Sequence, residues 1–528
     1  MLFNSFEFIL AFLPITILGY YLLSKSKFSK FSSLGLVWLV LASLFFYSWW
    51  NPWNLPIILI SVIFNYFWGE IIARTQSTQK RKKQLFLAVG ITANLLLIAY
   101  YKYADFFISN INFVSGSDLP LLEVILPLGI SFFTFQQIAY LVDAYIGETE
   151  EYNFLKYALF VTFFPQLIAG PIVHHKDMMP QLTQERANHF SQSALAIGLS
   201  VFTIGLFKKA VIADSMSTFA NLAFNASAQG VNLTFSEAWV GALAYTIQLY
   251  FDFSGYSDMA IGAAYMLGVK LPLNFNSPYQ AISIVDFWRR WHITLSNFLR
   301  DYLYIPLGGS RLGDFRRYTN LMITMLLGGL WHGAGWQFVL WGFLHGSYLV
   351  CNHGYRSLRK RMGHDMKQDG FFLRGTGWLL TFLAVVVAWV FFRASSISSA
   401  WAIVQSMFGF RGIQLAGFIE PYLGFLRDFG ITFDGFTVNV GISQKYSTFG
   451  IILLLTFTCI SPNIYQLMGK YSPTLQQPRD QKTILWNERL QALFGWRPNK
   501  AWSAVMGLMA AVSFLCFNRV SEFLYFQF

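Results

Sequence analysis

Three stretches between residues 245 and 346 hold the side chains best suited to chemistry. Tyr245, Gln248, Asp252, Tyr256 and Met259 recur at spacings of three and four, which places them on one face of a helix. Asp252 and Asp258 both lie in the apolar string Tyr250-Phe-Asp-Phe-Ser-Gly-Tyr-Ser-Asp-Met-Ala-Ile-Gly262. Ionisable groups are costly inside membrane helices, so they are candidates for function by default. One reading is a polar stripe facing a substrate tunnel. The other is a buried clamp, with the aspartate paired to an arginine or a helix N-terminus.

The second stretch runs from Phe287-Trp-Arg-Arg-Trp-His292 to Gly308-Gly309-Ser-Arg311. Its mixture of Trp, Arg and Leu predicts amphipathic helices lying on a membrane surface. Arg289, Arg290, Arg300 and Arg311 could hold phosphates, because a guanidinium is a planar fork of donors. Anionic lipid headgroups compete for the same chemistry. Gly308-Gly309 is too short to argue a phosphate loop alone.

The third stretch is Leu326-Leu-Gly-Gly-Leu-Trp331-His332-Gly-Ala-Gly-Trp-Gln, continuing to His345-Gly346. Histidine is the side chain best suited to proton transfer near neutral pH. Gly328, Gly329, Gly333 and Gly335 surround His332 and would let a backbone or a ligand come close. The bland alternative is a histidine that hydrogen-bonds between helices, and for His345 that is the stronger reading. No His, Cys or carboxylate group has metal-ligand spacing, and no G-x-S-x-G elbow occurs.

The elements that must position these residues are membrane helices. Among 528 residues, 55% are hydrophobic and only 12% charged, against about 25% charged in an ordinary soluble domain. That excludes disorder, a soluble nucleic-acid binder and an ordinary cytosolic enzyme. Runs free of Asp, Glu, Lys and Arg cover 8–24, 31–69, 84–101, 124–142, 157–175, 187–207, 318–355, 375–392, 394–410, 446–469 and 501–518. A spanning helix needs about 20 apolar residues. The long run 31–69 is broken at Asn51-Pro52, and 318–355 at Gly333-Ala334-Gly335. The expectation is about ten to thirteen transmembrane or re-entrant helices. The N-terminus lacks the features of a cleavable signal, since its basic cluster follows the apolar run.

The net charge is +12. The positive-inside rule places 25–30, 80–83, Lys208-Lys209, 289–290, 311–317, 356–361 and 479–499 in the cytoplasm. Residues 411–445 read as an external loop and 470–500 as an internal one. His174-His175 read as interfacial. Cys351, Cys459 and Cys516 suggest no disulfide framework and read as small buried apolar residues.

Five strings carry a resemblance. They are Pro165-Gln-Leu-Ile-Ala-Gly-Pro-Ile172, Tyr250–Gly262, Asp286-Phe-Trp-Arg-Arg-Trp-His-Ile-Thr-Leu-Ser296, Leu299-Arg-Asp-Tyr-Leu-Tyr-Ile-Pro-Leu-Gly-Gly309, and Gly329-Leu-Trp-His-Gly333 with Leu344-His-Gly346. Taken in order, they resemble the membrane-bound O-acyltransferase (MBOAT) family, in its bacterial AlgI-like branch of alginate O-acetylation. The resemblance implies an all-α polytopic fold, a ring of helices around a central tunnel. It implies a single membrane domain over 1–528, with N-terminal helices in 1–145, a catalytic core in 146–365 and C-terminal helices in 366–528.

The resemblance also implies a function. The family's catalytic histidine matches His332, and a second functional position matches His292. Acetyl-CoA would be the donor substrate, with no permanently bound cofactor and no metal. Arg289, Arg290 and Arg311 would hold its phosphates, and Asp252, Tyr256, Trp331 and His345 would line the tunnel. The acceptor would be an exported polysaccharide such as alginate, reached through an extracytoplasmic SGNH-type partner at the bacterial inner membrane. Membrane lipids, and no nucleic acid, complete the expected partners. The alternatives are a D-alanyl-transferring DltB-like enzyme and a glycan or lipid transporter.

Overall fold

The computed structural model describes residues 1–24, 33–149, 153–183, 190–365, 369–433, 444–475, 488–517 and 524. The regular secondary structure among the described residues is helical, with an isolated bridge between Gln414 and Thr432 as the one β contact among them. One-turn pieces aside, the helices are α1 (Glu7–Ser24), α2 (Leu34–Ser48), α3 (Leu55–Arg74), α4 (Lys80–Ser115), α5 (Ile130–Ile146), α6 (Phe154–Thr162), α7 (His175–Thr183), α8 (Gln192–Ala228), α9 (Phe235–Met266), α10 (Ile284–Trp288), α11 (Ile293–Leu299), α12 (Asp314–His332), α13 (Trp336–Arg361), α14 (Phe371–Arg393), α15 (Ile397–Met407), α16 (Gln444–Ile460), α17 (Glu488–Phe494) and α18 (Lys500–Leu515). Five are long and apolar enough to cross a membrane: α1, α3 with its 3₁₀ lead-in, α4, α8 and α14. Three shorter apolar helices accompany them in α2, α16 and α18.

Local sequence explains the main boundaries. Asn51 ends the α2 segment and caps the 3₁₀ turn that leads into α3, its side chain accepting from Trp53 N at 3.0 Å with Pro52 next to it. Thr234 and Glu237 form a reciprocal capping box at the start of α9. Polar pairs tie the apolar helices together, as expected where water cannot compete. Asn94 Nδ2 donates to Asn65 Oδ1 at 2.6 Å, and Gln137 Nε2 donates to Ser61 Oγ at 3.0 Å.

The central element is α9. Every residue from 244 to 264 is buried. It lies against α8 through two glycine pairs spaced seven residues apart on each helix: Gly198 faces Gly262, and Gly205 faces Gly255. A Cβ at any of these four would collide with the opposite backbone, so the helices touch main chain to main chain. Directly after Gly205, α8 passes through a π-helical turn, Lys208–Ala213. That turn aims both lysines at α9. Lys209 Nζ lies 2.7 Å from Asp214 Oδ1 and 2.6 Å from Asp252 Oδ1, and Lys208 Nζ lies 2.6 Å from Asp258 Oδ2. Tyr465 donates to the other oxygen of Asp258 at 2.7 Å.

Lys208-Lys209 is therefore not a free basic cluster: the pair sits in the middle of a 37-residue helix and both lysines are paired with carboxylates. Other expectations change as well. Residues 116–129 are not helical, and the helix expected over 124–142 begins only at Ile130, after Pro127 and Gly129. The run 157–175 is broken into α6, a single turn and an extended stretch, because Pro165 and Gly170-Pro171 interrupt it. His174 and His175 make protein contacts: His175 is buried on Thr149 (2.6 Å), and His174, half-buried, meets the Tyr302 hydroxyl at 3.0 Å. Cys351 is exposed, Cys459 and Cys516 are half-buried, and all three are free thiols. The basic cluster 25–30 lies outside the described residues, as do 434–443 of the expected external loop and 476–487 of the internal one.

Candidate active site

His332 is the last residue of α12. Gly333 and Gly335 are extended, and α13 starts at Trp336, so α12 and α13 form a hairpin whose turn lies at the expected break. Arg311–Arg317 and Arg356–Arg361 lie at its open end. The two helices approach closely because a Cβ on Gly329 would strike the Phe338 carbonyl, and one on Gly342 the Met325 carbonyl.

The His332 ring is 6% exposed and walled by aromatics. Centroids of Trp331, Trp341 and Phe392 lie 4.9, 5.1 and 5.2 Å away. On its remaining side is a cavity of about 70 Å³, lined by His332, Trp331, Lys102, Ile168 and residues 126–132. A single water needs about 10–15 Å³ of such space, so the cavity has room for a group of about five or six heavy atoms.

His292 approaches from the other side of Trp331, with ring centroids 6.4 Å apart. It is fully buried and has φ of +43°, in the left-handed region that few side chains other than glycine occupy. Such a conformation persists only where neighbours hold it. Asn274 does the holding. Its Oδ1 lies 3.0 Å from His292 Nδ1 and accepts from Thr294 Oγ1 at 2.9 Å, while its backbone carbonyl accepts from Ile293 N at 2.9 Å. Phe253 stands edge-on to the imidazole at 4.7 Å.

His345 extends the chain of rings beyond Trp341, 4.7 Å away, with Trp288 at 5.2 Å. It is fully buried, and neither ring nitrogen has a hydrogen-bond partner among the described residues. His292, His345 and Lys102, all bases, are among the described ionisable groups that act on His332.

The structure therefore brings together His332, Trp331, His292 and His345. It places the others elsewhere. Asp252 is held by Lys209 and by Leu524 N (3.2 Å), so it is the buried clamp and not a tunnel wall. Tyr256 stacks on Phe3 at 4.6 Å. The reason is common to both: α9 is surrounded by helices on every side, so its polar stripe serves interhelical contacts. Arg289 and Arg311 are exposed, whereas Arg290 Nε is occupied by Asp286 Oδ1 at 2.8 Å. The segment 287–311 is not a surface pair of amphipathic helices. Phe287, Trp288, Trp291 and His292 are buried in the bundle, and only its arginines and a few neighbours reach the outside.

The five strings of the sequence converge on this chamber. Ile168 lines the cavity. Ile172 N donates to Thr294 Oγ1 at 3.1 Å, and Asn274 Nδ2 donates to Ser257 Oγ at 3.1 Å. Asn320 of α12 donates to the carbonyls of Leu307 and Gly309.

Two participants escape a motif reading. Asn274 lies in an unremarkable Pro-Leu-Asn-Phe-Asn stretch. Lys102 is the lone charge between the apolar run 84–101 and Asp105, and that isolation was a usable signal. Its Nζ donates to the carbonyls of Trp331 (2.5 Å) and His332 (3.2 Å), and the Tyr103 hydroxyl donates to that of Leu330 (2.7 Å).

Comparison with known proteins agrees with this geometry. The family model for MBOAT, the membrane-bound O-acyltransferase family, matches residues 44–397. A peptidoglycan O-acetyltransferase of Helicobacter pylori is 46% identical over 81% of this chain and 83% of its own length. A probable alginate O-acetylase AlgI of Pseudomonas aeruginosa is 41% identical over 79% and 76%. A teichoic acid D-alanyltransferase of Bacillus subtilis is 28% identical over 44% and 60%. The chain belongs to the membrane-bound O-acyltransferase family: it is a multi-pass membrane protein and an acyltransferase.

Proposed function

We propose that this acyltransferase takes acetyl from acetyl-CoA at the cytoplasmic face of the bacterial inner membrane and delivers it to a hydroxyl of an exported polysaccharide. The observation that carries this reading is the buried imidazole of His332, set at a helix end against a small cavity inside an aromatic chamber. His332 acts as general base on the acceptor hydroxyl or carries the acetyl briefly itself. His292, clamped by Asn274, positions the thioester or relays a proton.

The cavity's size supports a two-carbon acyl group over a long chain, since sites for drug-sized ligands run to about 300–1,000 Å³. Arg289 and Arg311 are exposed and available to the phosphates of the donor. Transfer through such a chamber would move acetyl across the membrane as a bound group, so the charged nucleotide would never have to cross. The names of the Helicobacter and Pseudomonas relatives, one acting on peptidoglycan and one on alginate, support a polysaccharide acceptor. An extracytoplasmic SGNH-type protein completes delivery. D-alanyl transfer is less well supported, because the teichoic acid relative matches under half of this chain.

The test uses purified protein in nanodiscs with acetyl-labelled acetyl-CoA, alginate or peptidoglycan fragments, and the SGNH-type partner. Thiol release is expected in wild type and is expected to fall about 10²–10⁴-fold in His332→Ala. Wild-type release retained by a folded His332→Ala protein would refute the assignment.

A further inference from the structure

Lys102 has a place in the chamber that positioning alone does not explain. The last four carbonyls of a helix lack partners within it, and inside a membrane no water supplies them. At the end of α12, Tyr103 and Lys102 supply three donors, to Leu330, Trp331 and His332. Tyr103 shows that a neutral hydroxyl suffices for this work. A lysine is a costly way to do it, because a charged side chain deep in a bilayer is unfavourable by at least about 2.5–3.5 kcal/mol. Here the ammonium is stabilised by two carbonyls at the negative end of a helix and by the Trp331 ring, 5.9 Å away. It also lines the same cavity as His332. An ammonium has three N–H donors, and the two carbonyls take two of them.

We propose that Lys102 is the oxyanion-stabilising residue of the acyl transfer. The proposal rests on the thioester reading above. In the reaction, the acceptor oxygen bonds to the thioester carbon, and the carbonyl π pair moves to its oxygen. The hydroxyl proton passes to the His332 imidazole. The alkoxide forms in the cavity beside Lys102, where a fixed positive charge stabilises it more than it stabilises the neutral carbonyl. The alkoxide pair then reforms C=O, the C–S bond breaks, and the thiolate takes the proton back from the imidazolium. Acceptor ester and free thiol are the only products. Placement on the helix end makes the charge rigid, because the two carbonyls that hold it belong to the general base itself and to the residue before it.

The experiment compares three variants of the full chain in nanodiscs, reading thiol release from acetyl-CoA with the glycan acceptor. Lys102→Gln keeps N–H donors for the carbonyls and loses the charge. It is expected to lower kcat about 10²–10³-fold, with KM for acetyl-CoA within about threefold. Lys102→Arg keeps charge and donors and is expected to remain within about tenfold of wild type. Tyr103→Phe removes one carbonyl cap without touching charge and is expected to stay within about threefold. A folded Lys102→Gln near wild-type kcat overturns the proposal. So does a Tyr103→Phe loss as large as that of Lys102→Gln, since capping alone would then account for both.

A further measurement needs no lysine variant. A trifluoromethyl ketone analogue of acetyl-CoA, which adds water to give a tetrahedral gem-diol that becomes an alkoxide when one hydroxyl proton passes to the His332 imidazole, is expected to bind wild type at least about 10²-fold tighter than the methyl ketone. Equal affinities overturn the proposal. A wild type that releases no thiol, and is indistinguishable from His332→Ala, overturns instead the reading beneath it, and the assignment of Lys102 with it.

Discussion

Two regions of this bundle bury ionisable groups, and they treat them in opposite ways. Between α8 and α9, Lys208, Lys209, Asp214, Asp252 and Asp258 answer one another across glycine-to-glycine contacts. Around His332 the described groups are of one kind. The groups that act on it are bases, Lys102, His292 and His345, and the walls between them are indole and phenyl rings. Opposite charges at short range lock two helices together. Bases held among aromatic rings are placed to handle protons and developing negative charge. Burial of charge is therefore not in itself the mark of the active site. The informative feature is whether the charges are already answered.

The largest effect should come from breaking the answered region. Lys209→Met leaves Asp214 and Asp252, both nearly fully buried, facing each other without their shared cation. Removing one partner of a buried ion pair typically costs about 3–5 kcal/mol. We expect poor recovery of monodisperse protein and a strongly lowered thermal midpoint in detergent. A Lys209→Met protein of wild-type stability would mean that the cluster is not a structural lock. Because Lys209 pairs with Asp214 and Asp252, neither of which lines the His332 cavity, thiol release per folded molecule should change less than the yield.

A smaller and differently distributed effect is expected at Asn274. Asn274→Ala removes the acceptor for Thr294 Oγ1 and the partner of His292 Nδ1. Stranding buried polar groups costs about 1–3 kcal/mol, so the protein should still fold. Turnover should fall by more than the lost stability explains, because His292 would no longer be held in its left-handed conformation. Thermal midpoint and thiol release, measured on one preparation, separate the two. A stability loss with unchanged turnover would move His292 from the chemistry into the scaffold.

The same contrast explains what was legible in the sequence. The break at Asn51-Pro52 and the hairpin turn at 333–335 were readable because proline and glycine act locally. The place of His332 at a helix end was readable because glycines follow it in an apolar run. The pairing of Lys208-Lys209 was not readable, because a positive-inside reading treats each cation by itself, whereas their contacts depend on aspartates 43 and 50 positions away and on a π-turn that no residue announces. The segment 287–311 misled for a related reason: tryptophan, arginine and leucine suit both a surface helix and a chain folded inward with its arginines outward. The curled backbone at His292 depends on Asn274, a contact across 18 residues, which spacing does not encode.

The smallest effect, and the one with the most informative sign, is expected at His345. Its imidazole is fully buried among Trp288, Trp341, Trp389 and Phe287, and neither nitrogen is paired among the described residues. If the site served packing alone, a flat apolar ring would serve it better, since replacing a buried unpaired polar group by an apolar one of similar shape is neutral or stabilising. His345→Phe should therefore raise stability, by about 1 kcal/mol, while lowering turnover. The opposite signs matter more than the sizes. A structural histidine would lose both or neither, whereas a protein that retains a destabilising imidazole beside its chamber does so where function has set the residue against the fold. Thermal unfolding and thiol release of His345→Phe give both signs. A lowered midpoint would show that the imidazole is a satisfied part of the core, and the contrast between the two regions would then narrow to Lys102, His292 and His332.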